Sequence, residues 1–435
     1  MAFWIYNVAI LFSCFLAAPF IPLFLLIKGL PDKHFKERLG MLPNKILRSD
    51  GNRLKIWIHA VSIGEVKVAK VIVDTIKGFA DDFSVVLSTT TKSGRRTALS
   101  IMPGNTAVIY NPVDIFWCVN NSLKKVSPDL FINLETEVWP NFLWACKRFH
   151  IPAFLLNGRI SARSIGNYRR LRFLMKDALS TYRLLSMISR LDVRRIISMG
   201  ADPQKVVVGG NAKYDLLVEE ANPELSERIA HIYRIADGRP VFIAGSTRGG
   251  EEAIIIEAYL DLRECYPGLL LVIAPRHIER RRNIESLLRS YGLNYCLRSG
   301  LENDIRKACS VDVILVDTHG ELFGLYSIGT IIFCGASLVP LGGQNILEAA
   351  VWGKPVIYGP SMDNFLEAKG LLEGVGAGFQ VRDKAQLIKV AGWLLENPKE
   401  SNRLGEKARK AIEHNIGSAK KQVGDIFRLI KTARR

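Results

Sequence analysis

The sequence predicts an α/β chain made of two doubly wound, parallel-sheet halves. From about residue 54, short apolar runs alternate with stretches of helical periodicity. After a polar segment at 216–239 the same alternation starts again. The length agrees, because 435 residues exceed what one ordinary core holds.

Taken in order, residues 1–27 carry no charged side chain, and Lys28, Lys33, Lys36 and Arg38 follow. About 20 apolar residues span a bilayer core as a helix. Residues 1–28 are therefore expected to be an uncleaved N-terminal membrane anchor, with Trp4 and Tyr6 at one interface and Pro19 and Pro22 bending its second half. The positive charge that follows puts the main body in the cytoplasm, on the inner face of a membrane. In the first half (29–220) strands are expected at 56–60, 84–89, 130–134, 153–156 and 206–208. Helices are expected to start near Glu65, Lys92, Ile115, Trp139, Ser161 and Asp192. Segment 216–239, with Pro223 and the Asp237-Gly238-Arg239-Pro240 turn, reads as a linker. In the second half (221–435) strands are expected at 241–245, 269–274, 313–316, 330–334 and 355–358. Helices are expected near Gly250, Ile278, Leu322, Asn345, Asn364 and Lys384. From Ser401 the tail is basic and helical in pattern.

Composition narrows the function. The formal charge is +17, from 59 basic and 42 acidic residues, so the partner is anionic: nucleic acid, an acidic membrane surface or a phosphorylated substrate. Seven scattered cysteines, with no C-x-x-C and no zinc spacing, read as reduced thiols. Asp-x-Asp is absent, so no dedicated metal grip is visible and no metal is expected.

The stretch with the most chemistry is Trp57 to Glu65. An apolar strand ends there, Ser62 and Gly64 turn the chain, and Glu65 opens a helix. The acid thus stands in a helix's first turn at the carboxyl end of a strand, where open α/β sheets bind ligands. Taken alone, the stretch fits an ordinary first-turn acid capped by Ser62 better, and it is the rest of the chain that tips the balance. Glu135 and Glu137 close another strand and share a side of an extended segment, which suits sugar hydroxyls. Lys213, in Gly209–Asp215, can offset negative charge near a hinge. In the second half, Arg276 emerges after a buried strand with a planar fork suited to phosphate. The Asp317-Thr318-His319-Gly320-Glu321 stretch ends another strand. The glycine-rich run Val339–Asn345 feeds a helical run at 346–352, a phosphate site in waiting, with Glu348 placed to accept from ribose hydroxyls. Residues 159–195 hold ten Arg and Lys against two Asp, with Leu171 and Phe173 interleaved, as on a surface that meets anionic phosphates at a membrane. A nucleic-acid patch is the rival reading, but no aromatic stacking motif accompanies it.

H-A-V-S-I-G-E (59–65), E-T-E-V-W-P-N (135–141), N-G-R-I-S-A-R-S (157–164), G-N-A-K-Y-D (210–215), A-P-R-H (274–277), D-T-H-G-E-L (317–322) and G-G-Q-N-I-L-E-A-A (342–350) occur in that order. Together they resemble the 3-deoxy-D-manno-octulosonic acid (Kdo) transferases, the lipid A glycosyltransferases of glycosyltransferase family 30. The resemblance implies a GT-B fold, two facing Rossmann-like domains with the active site between them. It implies an inverting transfer of Kdo from CMP-Kdo to lipid IVA without a cofactor, an acceptor-binding first half and a CMP-sugar-binding second half. By matching motifs it makes Glu65 the catalytic base and gives Glu135 and Lys213 to transition-state stabilisation. It assigns Pro275, Arg276, His319, Gly320, Glu321, Asn345, Ile346, Leu347 and Glu348 to the nucleotide. The family often has Met at His319, His at Gln344 and Pro at Ile346, which leaves the side-chain role of His319 open. Two alternatives remain: a nucleotide-sugar 2-epimerase of the same fold, and a membrane-tethered nucleic-acid-binding protein.

Overall fold

The computed structural model describes residues 2–17, 19, 34–43, 53–135, 137–235, 238–301 and 311–433. The chain forms two compact units, Met1–Leu216 with Gly417–Arg435, and Leu217–Ile416.

The first unit holds a seven-stranded, wholly parallel sheet. Its strands are β1 (Leu54–His59), β2 (Phe83–Thr89), β3 (Thr106–Tyr110), β4 (Leu130–Leu134), β5 (Ala153–Gly158), β6 (Tyr182–Met187) and β7 (Val206–Val208). Their order is β3-β2-β1-β4-β5-β6-β7. Succession runs outward from β1 to one edge, then returns to β4 and runs to the other. The switch point therefore lies between β1 and β4, and the loops after those two strands flank it. Burial on both faces explains the unbroken apolar runs: β4 is buried along its whole length.

Two terminal helices complete this unit. Helix Ser418–Ala433 packs on helix Ile63–Ile76, burying Val423 and Ile426. Asp215 caps its start by accepting from Gly417 N. The division at 220/221 expected from sequence kept this tail with the second half; it belongs with the first. Helix Ala2–Ala17 lies against helices Pro140–Arg148 and Arg172–Leu179. Phe3 packs on Trp144, the Tyr6 hydroxyl donates to Asp114 Oδ2 at 2.8 Å, and Asn7 pairs with Asn141. Its sixteen residues rise only about 24 Å, short of the roughly 30 Å of a hydrocarbon core. Among the described residues no helix is long and apolar enough to cross a membrane. The second half of the expected anchor, residues 18 and 20–28, lies outside the described residues.

The second unit repeats the construction. Its strands are β8 (Val241–Thr247), β9 (Leu270–Pro275), β10 (Tyr295–Leu297), β11 (Val313–Leu315), β12 (Ile331–Cys334), β13 (Val356–Tyr358) and β14 (Gly378–Gln380), in the order β10-β11-β9-β8-β12-β13-β14 and all parallel. Here the switch point falls between β8 and β12. The segment expected to be a linker instead carries helix Pro223–Tyr233, whose Ile229 and Tyr233 are buried. Asn222 caps that helix by accepting from Leu225 N, and Pro223 sits where its missing N–H costs nothing.

Candidate functional site

At the first switch point, the loop after β1 carries Glu65 and the loop after β4 carries Glu135 and Glu137. Ser62 caps helix Ile63–Ile76 and its hydroxyl donates back to Glu65 Oε1 at 3.1 Å. Glu65 Oε2 accepts from Val61 N at 2.8 Å. Two donors do not offset what burial costs this carboxyl. Burial, then the neighbouring charge of Glu135 and a smaller push from Glu137, raise its pKa to about 7. A carboxyl poised there is half ionised near neutrality, as a general base requires.

Glu135 is held in an unusual way. Its backbone is left-handed, φ 58°, a conformation that costs a non-glycine residue about 1–3 kcal/mol. Asn133 Nδ2 braces the turn from beneath by donating to Glu137 O at 2.6 Å, and Glu135 N donates to Leu156 O. The Glu135 carboxylate pairs with Lys213 Nζ. Lys213 opens helix Lys213–Glu220 beside the Gly209-Gly210 turn. That turn depends on residues the sequence reading missed. Buried Asn157 accepts from Ala212 N through Oδ1, and its own N–H donates to Gln422 Oε1; Gln422 Nε2 then donates to Gly210 O. The C-terminal helix thus fixes the lysine's platform. No local pattern marks a partnership between residues 157 and 422. Glu65, Glu135 and Lys213 are therefore gathered at one switch point.

The second unit's candidates sit on the carboxyl edge of its sheet, at the ends of three strands. Pro275 ends β9 buried, and Arg276, anchored by its N–H to Thr247 O, is exposed. His319 and Gly320 are exposed after β11. A Cβ at Gly320 would meet nothing within 4 Å. Glu321 is occupied: Arg298 grips it through Nε and Nη2, both at 2.8 Å, and the Tyr233 hydroxyl donates at 3.1 Å. Ile346 and Leu347 are buried, so their backbone is what they can offer a ligand. Asn345 Nδ2 donates to Glu348 Oε1 at 3.3 Å.

The expected phosphate cradle at 339–352 is not built as the sequence suggested. The helix is only Leu347–Ala350, too short to present a strong dipole end. Gly342 N donates to Ser361 Oγ and Gly343 N to Ala336 O, so these amides are spent within the fold. The two glycines, at φ 83° and 75°, are required by close packing: a Cβ would stand 2.2 Å from Asn364 Nδ2 and 2.4 Å from Met362 Sδ respectively.

Glu251 and Glu252, beneath this edge, were not singled out by sequence. Glu251, fully buried in the first turn of helix Glu251–Cys265, accepts from the backbone N–H groups of Ala336, Ser337, Leu338 and Arg248. It thereby staples the loops after β8 and β12 across the switch point. The end of β8 and the loop after β12 each carry a left-handed non-glycine residue, Ser246 and Ala336, next to the staple. Glu252 takes a two-pronged bond from Arg280 and one from the Thr247 hydroxyl. Among the described residues, no group of three or more His, Cys, Asp or Glu side chains is arranged to hold a metal ion.

Comparison with known proteins agrees with this construction. The chain aligns with a bifunctional glycosyltransferase/methyltransferase of Fusobacterium nucleatum at 35% identity, over 84% of this chain and 57% of that one. A crystal structure of UDP-GlcNAc 2-epimerase from Neisseria meningitidis superposes with a TM-score of 0.59 over 84% of this chain and 99% of that one. At 15% identity this likeness speaks for the fold alone. A family profile described as 3-Deoxy-D-manno-octulosonic-acid transferase (kdotransferase) matches residues 33–216. The 3-deoxy-D-manno-octulosonic acid transferase of Haemophilus influenzae is 33% identical over 83% of this chain and 84% of its own. With that extent of match, and the motif acids assembled at one switch point, the chain belongs to the 3-deoxy-D-manno-octulosonic acid transferase family of glycosyltransferases.

Proposed function

We propose that this enzyme transfers Kdo from CMP-Kdo to lipid IVA with inversion at the anomeric carbon. The observation that carries this reading is Glu65: a carboxyl with a pKa of about 7, at a switch point, beside a Glu135–Lys213 ion pair. Glu65 takes the proton from an acceptor hydroxyl as its oxygen bonds to the anomeric carbon and the bond from that carbon to the CMP phosphate oxygen breaks. Lys213, tethered by Glu135, balances negative charge on the sugar carboxylate or phosphate. Arg276 meets the departing phosphate, and His319, Gly320 and the residues at 345–348 contact the nucleotide, Ile346 and Leu347 through backbone atoms. Glu321 contributes by shaping its loop, since Arg298 holds its carboxylate. The chemistry asks for no metal, because CMP leaves readily.

The acceptor side is proposed to work at an anionic membrane surface. Trp4, Val8, Phe12 and Phe15 are exposed on helix Ala2–Ala17, and Leu171 and Phe173 are exposed beside Arg169, Arg170 and Arg172. Apolar side chains with interleaved arginines suit lipid headgroups and the phosphates of a bisphosphorylated disaccharide. The deciding experiment is product mass after incubation with CMP-Kdo and lipid IVA. A product heavier by whole Kdo residues, with CMP released only when acceptor is present, supports the reading. CMP or UDP-sugar turnover without acceptor refutes it in favour of an epimerase-type activity.

A further inference from the structure

His59, the last residue of β1, is buried within the first unit, 1% exposed. It stands in a chain of polar groups that neither the motif assignments nor the mechanism above uses. The Trp57 indole N–H donates to Ser88 Oγ at 2.9 Å, and Ser88 Oγ lies 2.9 Å from His59 Nδ1. Indole nitrogen only donates, so Ser88 accepts there and has its own proton to give. Giving it to Nδ1 places the ring proton on Nε2. The opposite tautomer would turn a bare Nε2 lone pair toward a carboxylate. Nε2 points at Glu137 Oε2, 3.5 Å away, and makes no hydrogen bond. A buried donor left unmade is costly, and such groups are retained for a reason. The same Glu137 oxygen already accepts from the Trp139 indole N–H at 3.0 Å. Glu137 itself is 37% exposed, at the switch point that holds Glu65.

We propose that His59 is a positioning residue that acts through Glu137. Its Nε2–H closes on Glu137 Oε2 when acceptor binds and, with Trp139, fixes that oxygen, so that the other oxygen accepts a hydrogen bond from a hydroxyl of the sugar acceptor. Unliganded sites commonly show such bonds long, to tighten in the complex. The inference rests on the reading of this unit as the acceptor side of a glycosyl transfer.

The test is a double-mutant cycle in the full chain with His59→Phe, Glu137→Gln and the pair, with His59→Gln as the conservative control. Losing a hydrogen bond to a charged group predicts a roughly ten- to hundredfold fall in kcat/KM for acceptor in each single variant. The double variant is expected to be no worse than Glu137→Gln alone, and the KM for donor to stay unchanged. His59→Gln, which keeps an N–H near the Nε2 position, recovers most of the loss. The charged groups acting on Glu65 are Glu135, with its partner Lys213, and Glu137, with its neighbour His59. Removing the Glu137 charge therefore moves the acid limb of the pH profile downward, whereas His59→Phe leaves it in place. Effects that multiply in the double variant overturn the inference, as does a donor KM that rises in step. So does His59→Gln as impaired as His59→Phe at an unchanged Tm. Glu65→Gln is run alongside: if it stays active the base assignment falls, while the cycle still judges the His59–Glu137 coupling.

Discussion

Replacing Glu65 with glutamine should make the protein more stable and stop it working. Burial and the Glu135 charge hold the native carboxyl at about 7 against an ordinary 4.5. At about 1.4 kcal/mol per pKa unit, the difference is on the order of 3 kcal/mol. Its sign follows from proton counts. Between pH 4.5 and 7 the native state keeps a proton that the unfolded chain has lost, so stability falls as pH rises through this window, and the penalty is complete above it. Glutamine has the same shape, still accepts from Val61 N, and never ionises. At pH 8.5 Glu65→Gln should therefore exceed the native chain by up to about 3 kcal/mol, or roughly 6–10 °C in the Tm of a unit this size. At pH 4.5 the two should melt alike. Stability gained by discharging a functional acid is the expected trade-off at an active site. The assay is thermal unfolding at pH 4.5, 7 and 8.5, followed by intrinsic tryptophan fluorescence, to which Trp57, buried in this unit, contributes. Turnover at pH 8.5 should fall roughly 10²–10⁴-fold. A stability difference that does not grow with pH, or native turnover in the variant, would refute the assignment of a strained, half-ionised base.

Three other outcomes follow from the packing. Tyr6→Phe removes a donor to Asp114, whose carboxyl burial has raised to about 6 despite bonds from Asn141 N, Tyr6 and Phe142 N. The loss should be about 1.5–3 kcal/mol above pH 6, where Asp114 is ionised, and shrink below it; a pH-independent loss would contradict this. Arg298→Ala strips Glu321 of its cation and should cost about 3–5 kcal/mol; denaturant unfolding should show Arg298→Ala/Glu321→Gln to be less damaged than the single variant. Gly405→Ala, inside helix Pro398–Glu413, should gain about 1 kcal/mol of helix propensity yet melt lower. The new Cβ would stand 1.8 Å from Gly353 O, a backbone atom that cannot step aside cheaply.

Central strands were legible because burial on both faces leaves an unbroken apolar run, and 130–134 matches its observed bounds. The run 206–208 also matches, although β7 is a part-buried edge strand. Four strands were not anticipated, and their positions explain why. β3, β10 and β14 lie at or near sheet edges and are short or only part-buried. β6 carries Arg183 exposed amid apolar residues. Glu65 was visible because a local rule, a capping serine three residues before an acid, places it. His59 was hidden because it reads as one letter of an apolar strand; only register, setting His59 opposite Ser88, reveals its partner. The glycine-rich run at 342–343 misled for the converse reason. Glycines that admit a phosphate and glycines that admit Asn364 and Met362 look the same in one dimension.

The two units place an acid at the same topological position, and the difference between those acids locates the chemistry. Glu65 and Glu251 each stand in the first turn of the helix that follows the first strand of a sheet, beside the switch point. Each would feel the same helix dipole. What separates them is the supply of donors. Glu251 accepts four backbone N–H groups, so its lone pairs are committed to holding two loops, and it has nothing left for a proton in transit. Glu65 accepts one backbone N–H and one hydroxyl, is half-enclosed, and faces the charge of Glu135. A carboxylate short of donors and beside a like charge holds protons more tightly, and so becomes a stronger base. Giving Glu65 the donors of Glu251 would turn it into a structural clamp. The neighbouring turns reinforce this contrast: strain at Ser246 and Ala336 sits beside a saturated carboxylate, while strain at Glu135 is spent on bringing a second negative charge toward the base. The contrast supports the proposal that proton transfer falls to the first unit and that the second unit's edge, with Arg276 exposed and its acids occupied, meets the departing anion.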